Sequence, residues 1–237
     1  KVGLLDADIY GPSISIIMGV SQDTKPVIKN DKFFEPVEIN DIKTMSMSYL
    51  VAESTPVVWR GPMASSALQQ MMQQTLWGEL DYLIIDLPPG TGDIQMALSR
   101  LLPQAELIVV TTPQFMAQKV ATRVADMAKR SFIPLLGVIE NMSYFESNNG
   151  EKFNLFGKGG GDALAEKFAM PILGKIPISE DTNDIADDGT PLILQDKDTP
   201  TKTEIEKLIT AIAEKLPPIV DETCTGRLAK VFEELSK

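Results

Sequence analysis

The sequence predicts an α/β fold: a doubly wound, mostly parallel sheet with helices on both faces. Three observations predict it. Short, near-continuous apolar runs alternate with segments of helical period along the chain, the pattern of parallel strands buried on both sides. Those runs stop at polar or conformationally special residues, namely Asp6, Asp86, Thr111, Asn141 and Pro177; in such sheets ligands bind beyond the carboxyl ends of the strands. A chain of 237 residues, 43% hydrophobic, also suffices for one sizeable core.

In chain order, Val2 to Asp6 is an apolar run closed by an acid and reads as a buried strand. Thr44 to Ala52 and Pro56 to Trp59 read as extended. Gly61-Pro62 starts a helix, with proline in the first turn. Met63, Leu68, Met71, Met72 and Leu76 supply apolar residues for the core or a dimer interface, with the core as the expectation. Tyr82 to Asp86 is a second strand closed by an acid, with the loop Pro88 to Asp93 after it and then a helix to about Leu102. Glu106 to Thr111 is strand, Gln114 to Arg130 helix, and Leu135 to Glu140 strand, ending at Asn141. Tyr144 to Phe156 reads as a hairpin or long loop around Asn149-Gly150. A glycine run opens a helix over Gly159 to Phe168, and Ile172 to Ile176 is a strand closed by Pro177. Ser179 to Pro200 is loop-rich, with a short helix near Asp184. Thr203-x-x-Glu206 reads as a capping box for a last long helix with the stripe Ile205, Leu208, Ile209, Ile212 and Leu216, stopped by Pro217-Pro218. The expected division is one domain over 1–216 and a tail over 217–237. The tail carries a short amphipathic helix from Gly226 to Leu235, striped by Leu228, Val231, Phe232 and Leu235.

Composition narrows the chemistry. The net charge of -11 argues against nucleic acid, whose partners show a basic face. The tail helix mixes Arg227, Lys230 and Lys237 with Glu233 and Glu234, whereas membrane-surface helices are more uniformly basic. No apolar run reaches the roughly 18–20 residues that span a bilayer, and the chain opens on a strand rather than a leader; the cytoplasm is the expected compartment. With no histidine and only Cys224, the chain has no histidine base, no internal disulfide and no Cys/His metal site of the usual kind. Acid–base work falls to carboxylates, Lys, Tyr or bound water.

Three constellations carry that work. Asp86-Leu-Pro-Pro-Gly-Thr-Gly-Asp93 comes at the end of an apolar strand. An acid at this place can hold Mg²⁺, usually through water, and is the Walker B arrangement. The loop of Gly90, Thr91, Gly92 and Asp93 can change shape as a γ-phosphate comes and goes. In Leu5-Asp6-Ala7-Asp8 two acids flank one residue, so in an extended segment they point the same way. Asp6 can support the metal shell, and Asp8 is the candidate for orienting the attacking water. Asn141 offers a donor and an acceptor that match an adenine edge, and Pro177 offers a flat apolar wall.

At this point the chain resembles the Mrp/ApbC group of P-loop ATPases, relatives of MinD. The stretches that carry the resemblance are VGLLDADIYGPS (2–13), VVWRGPM (57–63), LIIDLPPGTGD (83–93), VVTTPQ (109–114), GVIENMSYF (137–145) and FGKGGG (156–161). The resemblance implies an ATP- and Mg²⁺-dependent homodimer that carries or assembles iron–sulfur clusters with client or assembly proteins. It implies Asp86 as Walker B acid, Asp8 as switch I acid with Asp6 beside it, Gly90 to Asp93 as switch II, and Asn141 and Pro177 at the base. Arg60 and Gln114 lie in shared motifs without an assigned role.

Two departures stand out. The Walker A loop, of GKGGVGK[ST] type, is absent; it would lie roughly 30 residues before Asp6, one βα unit away. Gly157-Lys158-Gly-Gly-Gly161 lacks the second lysine and the hydroxyl residue, and comes after the wrong strand. The expectation is a fragment of a longer ATPase that lacks one strand and the phosphate loop. The second departure is at Phe145-Glu-Ser-Asn-Asn-Gly150, where many relatives carry Cys-x-x-Cys. Thiolates are the usual cluster ligands, so this stretch argues against the usual cluster site. The alternatives are a spatial-organising ATPase of MinD/ParA kind, or a nucleotide-gated dimer that holds no cluster.

Overall fold

The computed structural model describes residues 1–21, 23–51, 61–89, 97–98, 100–147, 149–179, 189–196 and 198–218. Pro56 to Trp59, Arg60, the loop residues Gly90, Thr91, Gly92 and Asp93, the segment around Asp184, Cys224 and the Gly226–Leu235 helix lie outside the described residues. The chain forms two compact units, one over 1–102 with 218–237 and the other over 103–217.

In the first unit β1 (Val2–Asp6) lies between β5 (Ile42–Met45) and β6 (Tyr82–Asp86), parallel to both, with β4 (Val37–Ile39) antiparallel on the far side of β5. The register sets Leu5 beside Ile85 and Asp6 beside Asp86, so two strands end in acids side by side. Gly3 makes close packing possible, because a Cβ there would sit 2.7 Å from Leu80 Cδ1. A 3-10 turn over Met47–Tyr49 comes after β5, with Ser46 as its N-cap. The helix α2 (Gly61–Gln74) buries Ala64, Leu68, Met71 and Met72, one face at helical spacing. Met63 and Leu76, expected in the core, are exposed. The short helix α1 (Ile14–Ile17) closes the loop after β1.

The extended segment expected over Thr44 to Ala52 is corrected: only Thr44 and Met45 lie in β5, and Met47–Tyr49 turn into the 3-10 helix capped by Ser46. The strands β2, β3 and β4, and with them two hairpins, have no counterpart in the pattern expected from sequence. In one, β2 (Ile28–Lys29) pairs with β3 (Phe33–Phe34); in the other, β4 pairs with β5. Both turn on Asn-Asp: Asn30 and Asp31 have φ of 52° and 56°, Asn40 and Asp41 of 50° and 60°. Two successive left-handed residues match the strand twist, and Asn and Asp tolerate that conformation.

In the second unit β8 (Leu135–Glu140) is central, parallel to β7 (Leu107–Thr111) and β11 (Ile172–Lys175). Helices α3 (Phe115–Arg130) and α4 (Gly160–Phe168) pack Ala121, Ala125, Leu164 and Phe168 against Val109 and Val138. A separate cluster joins Leu208 of α5 (Pro200–Lys215) to Leu136, Leu173 and Ile176. The strand β8 is thus covered on both faces, which makes its near-continuous apolar run necessary. The Asn149-Gly150 signal is met by a hairpin of β9 (Phe145–Glu146) and β10 (Lys152–Phe153), with Gly150 at φ 83°.

The capping box at Thr203 is corrected. The helix α5 starts earlier, at Pro200, with Thr199 as N-cap accepting from Lys202 N at 3.1 Å. Proline at the first helical position has the right φ and needs no amide partner, so it sets the start upstream of the Thr-x-x-Glu pattern. Thr203 lies inside the helix and donates its amide to Thr199 O. Ile209 in the expected stripe is 51% exposed.

Among the described residues, each of the two larger sheets ends on one strand as apolar as a central one. Ile84 on β6 is 55% exposed and Val110 on β7 is 59% exposed. Apolar edge strands of this kind are templates for further pairing.

Candidate functional site

The carboxyl end of the first unit's sheet holds three carboxylates, each in a different environment. Asp6 has no exposed surface. Its Oδ1 accepts from Asp8 N at 3.1 Å, and its Oδ2 accepts from Ile14 N at 3.2 Å and Ser46 Oγ at 3.1 Å. Burial raises its pKa above the ordinary carboxyl value; the three donors act in the opposite direction, and Asp86 adds a further upward push. Asp6 therefore organises the protein around itself.

Asp8 closes a tight local turn. Its Oδ1 accepts from Tyr10 N and Gly11 N, both at 3.2 Å, and such side-chain to backbone bonds suit an Asp in a loop.

Asp86 is exposed at the strand end. Among the described residues no protein donor reaches its carboxylate. Partial desolvation raises its pKa, and the charge of Asp8 raises it further. A carboxylate with its lone pairs free, pushed upward by a neighbouring anion, is the one that a cation would relieve. No group of three or more metal-ligating side chains is gathered among the described residues. That donor set fits Mg²⁺ held by one carboxylate with water and phosphate completing the shell, which is how this ion is commonly bound. The structure brings Asp6, Asp8 and Asp86 together; it does not describe Gly90, Thr91, Gly92 or Asp93.

The second unit assembles Asn141 and Pro177. Asn141 N donates to Thr111 O at 2.7 Å, Ile176 N to Glu140 O and Ser143 N to Ile176 O at 2.9 Å each, and Ile178 N to Tyr144 O at 2.7 Å. These bonds place the residues after β8 beside those after β11. Asn141 Oδ1 accepts from Met142 N at 2.9 Å, leaving the amide NH₂ as its outward donor. Asn141 is half-buried and Pro177 buried, so Asn141 is the member of the pair with polar atoms near the surface.

Sequence reasoning passed over Glu140. Its side chain is 1% exposed and is held by Ser143 Oγ and by Gly161 N, each at 2.5 Å. The Gly157–Gly161 run thus directs the first turn of α4 at a buried protein carboxylate. The run is also tightly packed. A Cβ on Gly161 would meet Glu140 Cβ at 2.9 Å, and one on Gly160 would meet Pro113 O at 2.7 Å. Ser46, the donor to Asp6, was missed as well. Glu140 had a signal, an acid closing an apolar strand; Ser46 had none beyond its place after one.

Comparison with known proteins bears on the fold and on the family. A family model described as ParA, NUBPL iron-transfer P-loop NTPase, matches residues 1–213. The chain is similar to an iron-sulfur cluster carrier protein of Pseudomonas fragi, 45% identical over 84% of this chain and 70% of the relative. It is similar to proteins of the same name from Bacillus subtilis, 47% identical over 76% of this chain and 51% of the relative, and from Escherichia coli K12, 44% identical over 82% and 53%. The chain thus spans about half the length of the latter two. Among solved structures it resembles a nucleotide-binding protein from Archaeoglobus fulgidus in complex with ADP, with 35% identity, a TM-score of 0.67, and 80% of this chain and 74% of that one covered. The fold is also that of MinD from Pyrococcus horikoshii in complex with Mg-ADP, with a TM-score of 0.61 at 18% identity and 90% and 83% covered.

Proposed function

Because the chain belongs to the ParA/NUBPL family of iron-transfer P-loop NTPases, we propose that the full-length protein binds and hydrolyses ATP as a homodimer and uses that cycle in iron–sulfur cluster assembly or transfer. The observation that supports the hydrolytic part is the register of β1 and β6. It sets Asp6 beside Asp86 with Asp8 two residues on, and Asp86 is the acid of the three that no described protein donor reaches.

Asp86 would hold Mg²⁺ through water. When bound, the ion neutralises charge on the phosphates. Asp8 orients the attacking water and takes up its proton as the water oxygen bonds to the γ-phosphorus and the bond to the ADP oxygen breaks; its Oδ1 holds Tyr10 N and Gly11 N, and its Oδ2, which no described donor reaches, takes the water. Asp6 holds the loop in place for that step. Asn141 reads the base edge through its amide NH₂, and Pro177 supplies an apolar wall for the base. Gly90 to Asp93 respond to the γ-phosphate. Replacing Asp8 with Ala in the full-length protein should leave ATP binding and abolish turnover; wild-type turnover in that variant would show Asp8 is misassigned.

The cluster is cargo in this reading, and its usual ligands are absent from the expected place. The stretch after Asn141 folds as the β9–β10 hairpin, with Lys152 paired to Glu146 at 3.5 Å and set 4.1 Å from the Tyr144 ring centre. No thiolate stands there. That favours a second reading, a nucleotide-gated dimer that helps transfer without retaining a cluster at this hairpin. Anaerobic reconstitution with iron and sulfide, followed by absorbance and iron counting, separates the two. Retained iron supports the carrier; ATP hydrolysis with no retained iron supports the gated dimer.

A further inference from the structure

We infer that Ser46, at the end of β5, is a positioning residue for hydrolysis: it holds the Asp6 carboxylate, and Asp6 holds the loop that carries Asp8. The inference rests on the assignment of Asp8 above and extends it to a residue outside the motifs.

The geometry is a chain of oriented hydrogen bonds. Ser48 Oγ donates to Ser46 Oγ at 2.9 Å, and Ser48 N donates to the same oxygen at 3.3 Å. With its lone pairs engaged, the Ser46 hydroxyl has its proton left for Asp6 Oδ2, 3.1 Å away. Asp6 then spans the loop, taking Asp8 N at its near end and Ile14 N at its far end. Ser46 and Asp6 have no exposed surface, so water cannot replace a lost donor without rearrangement.

The bonds on Asp8 differ in kind. Both run to amides within its own turn, at 3.2 Å and at exposed positions. The loop thus has a fixed post, Ser46–Asp6, and an arm, Asp8, whose Oδ2 no described donor occupies and which can take a water. Beneath the post, Tyr49 OH and Thr44 Oγ1 lie 2.9 Å apart, and Thr44 Oγ1 donates to Val37 O at 2.9 Å. The 3-10 turn that carries Ser48 is thereby tied to the sheet. Without the Ser46 hydroxyl, Asp6 keeps only bonds to the loop it is meant to fix, and post and arm drift together.

The test compares Ser46→Ala, Ser46→Thr, Ser48→Ala and Asp8→Ala in the full-length protein. The readouts are steady-state ATP hydrolysis per folded molecule and amide hydrogen exchange across residues 7–17. Ser46→Ala should lower kcat about 10-fold to 100-fold, the range that small misplacements of a reacting group produce, with KM for ATP within about twofold. Exchange across 7–17 should quicken in the same variant. Ser46→Thr keeps the hydroxyl at the cost of a buried methyl and should retain more turnover and more protection than Ser46→Ala. Ser48→Ala leaves Ser46 in place but removes the bond that orients it, and should give a smaller loss of the same kind; it serves if Ser46→Ala does not fold. Unchanged kcat in Ser46→Ala and Ser48→Ala, beside an inactive Asp8→Ala, would overturn the inference and leave the ATPase reading standing. Equal loss in Ser46→Ala and Ser46→Thr would overturn it too, because shape rather than the hydroxyl would matter. Full turnover in Asp8→Ala would overturn the reading on which it rests.

Discussion

The ends of β6 and β8 look alike in sequence and are used in opposite ways. Tyr82-Leu-Ile-Ile-Asp86 and Leu135-Leu-Gly-Val-Ile-Glu140 are both apolar parallel strands closed by an acid. Glu140 is buried, and its two oxygens are occupied by Ser143 Oγ and Gly161 N. Asp86 is exposed, and no described protein donor reaches its carboxylate. A strand-end acid is therefore a scaffold or a binding group according to whether the protein supplies its hydrogen-bond donors. The difference lies in the residues beyond each strand. After β6 come Leu87 and then Pro88 and Pro89, which have no amide proton to offer, whereas β8 ends against the glycine run that opens α4.

The largest effect that would sharpen this contrast is on turnover. Asp86→Asn should lower ATP hydrolysis about 100-fold or more, since it weakens the hold on the ion that neutralises phosphate charge, while leaving the fold intact. The next is on stability. Glu140→Ala should cost about 2–3 kcal/mol in chemical denaturation, because it strands a buried amide and a hydroxyl. Glu140→Gln should cost less, since its carbonyl can still accept from Gly161 N and its amide can donate to Ser143 Oγ. Gly161→Ala should destabilise by about 1–3 kcal/mol through overpacking against the Glu140 side chain. Comparable stability in Glu140→Ala and wild type would break the contrast from the scaffold side.

Asp86 also carries a pH effect. The pKa of Asp86 is raised above the ordinary 3.8, so the folded state binds more protons than the unfolded state between those values. Its contribution to stability is fully present below 3.8 and is lost as pH rises through the raised value. Asp86→Asn should therefore melt at a higher temperature than wild type at neutral pH, and the difference should shrink to nothing as pH falls below 3.8. Added Mg²⁺ should raise the melting temperature of wild type and not of the variant. The smallest effect expected is at the start of α5, where Thr199→Ala should cost about 1 kcal/mol as a lost cap and Thr203→Ala clearly less.

Much of the fold was legible in the sequence, and the gaps have physical causes. The strands β1, β6 and β8 fell where apolar runs meet acids, because burial on both faces imposes that composition. The hairpins at Asn30-Asp31 and Asn40-Asp41 escaped notice because their strands span only two to four residues, too short for any periodicity to declare itself. Their only signal was the turn dipeptide. The Thr-x-x-Glu pattern misled because Pro200 starts α5 before it. Of the candidate site, Asp6 and Asp86 were readable because each closes an apolar run. The division of labour among the acids was not: it depends on Ser46, Ile14 and Gly161, which lie 40, 8 and 21 residues from the carboxylates they serve. Hydrogen bonds at that range are made by the fold.

ATP hydrolysis by the full-length protein carrying Asp86→Asn or Glu140→Gln, measured with Mg²⁺ and normalised to folded protein, decides whether Asp86 binds the ion while Glu140 supports the fold. Asp86→Asn should be folded but inactive, and Glu140→Gln less stable yet able to turn over ATP at close to the wild-type rate per folded molecule. Wild-type turnover in Asp86→Asn would show that Asp86 does not hold the ion.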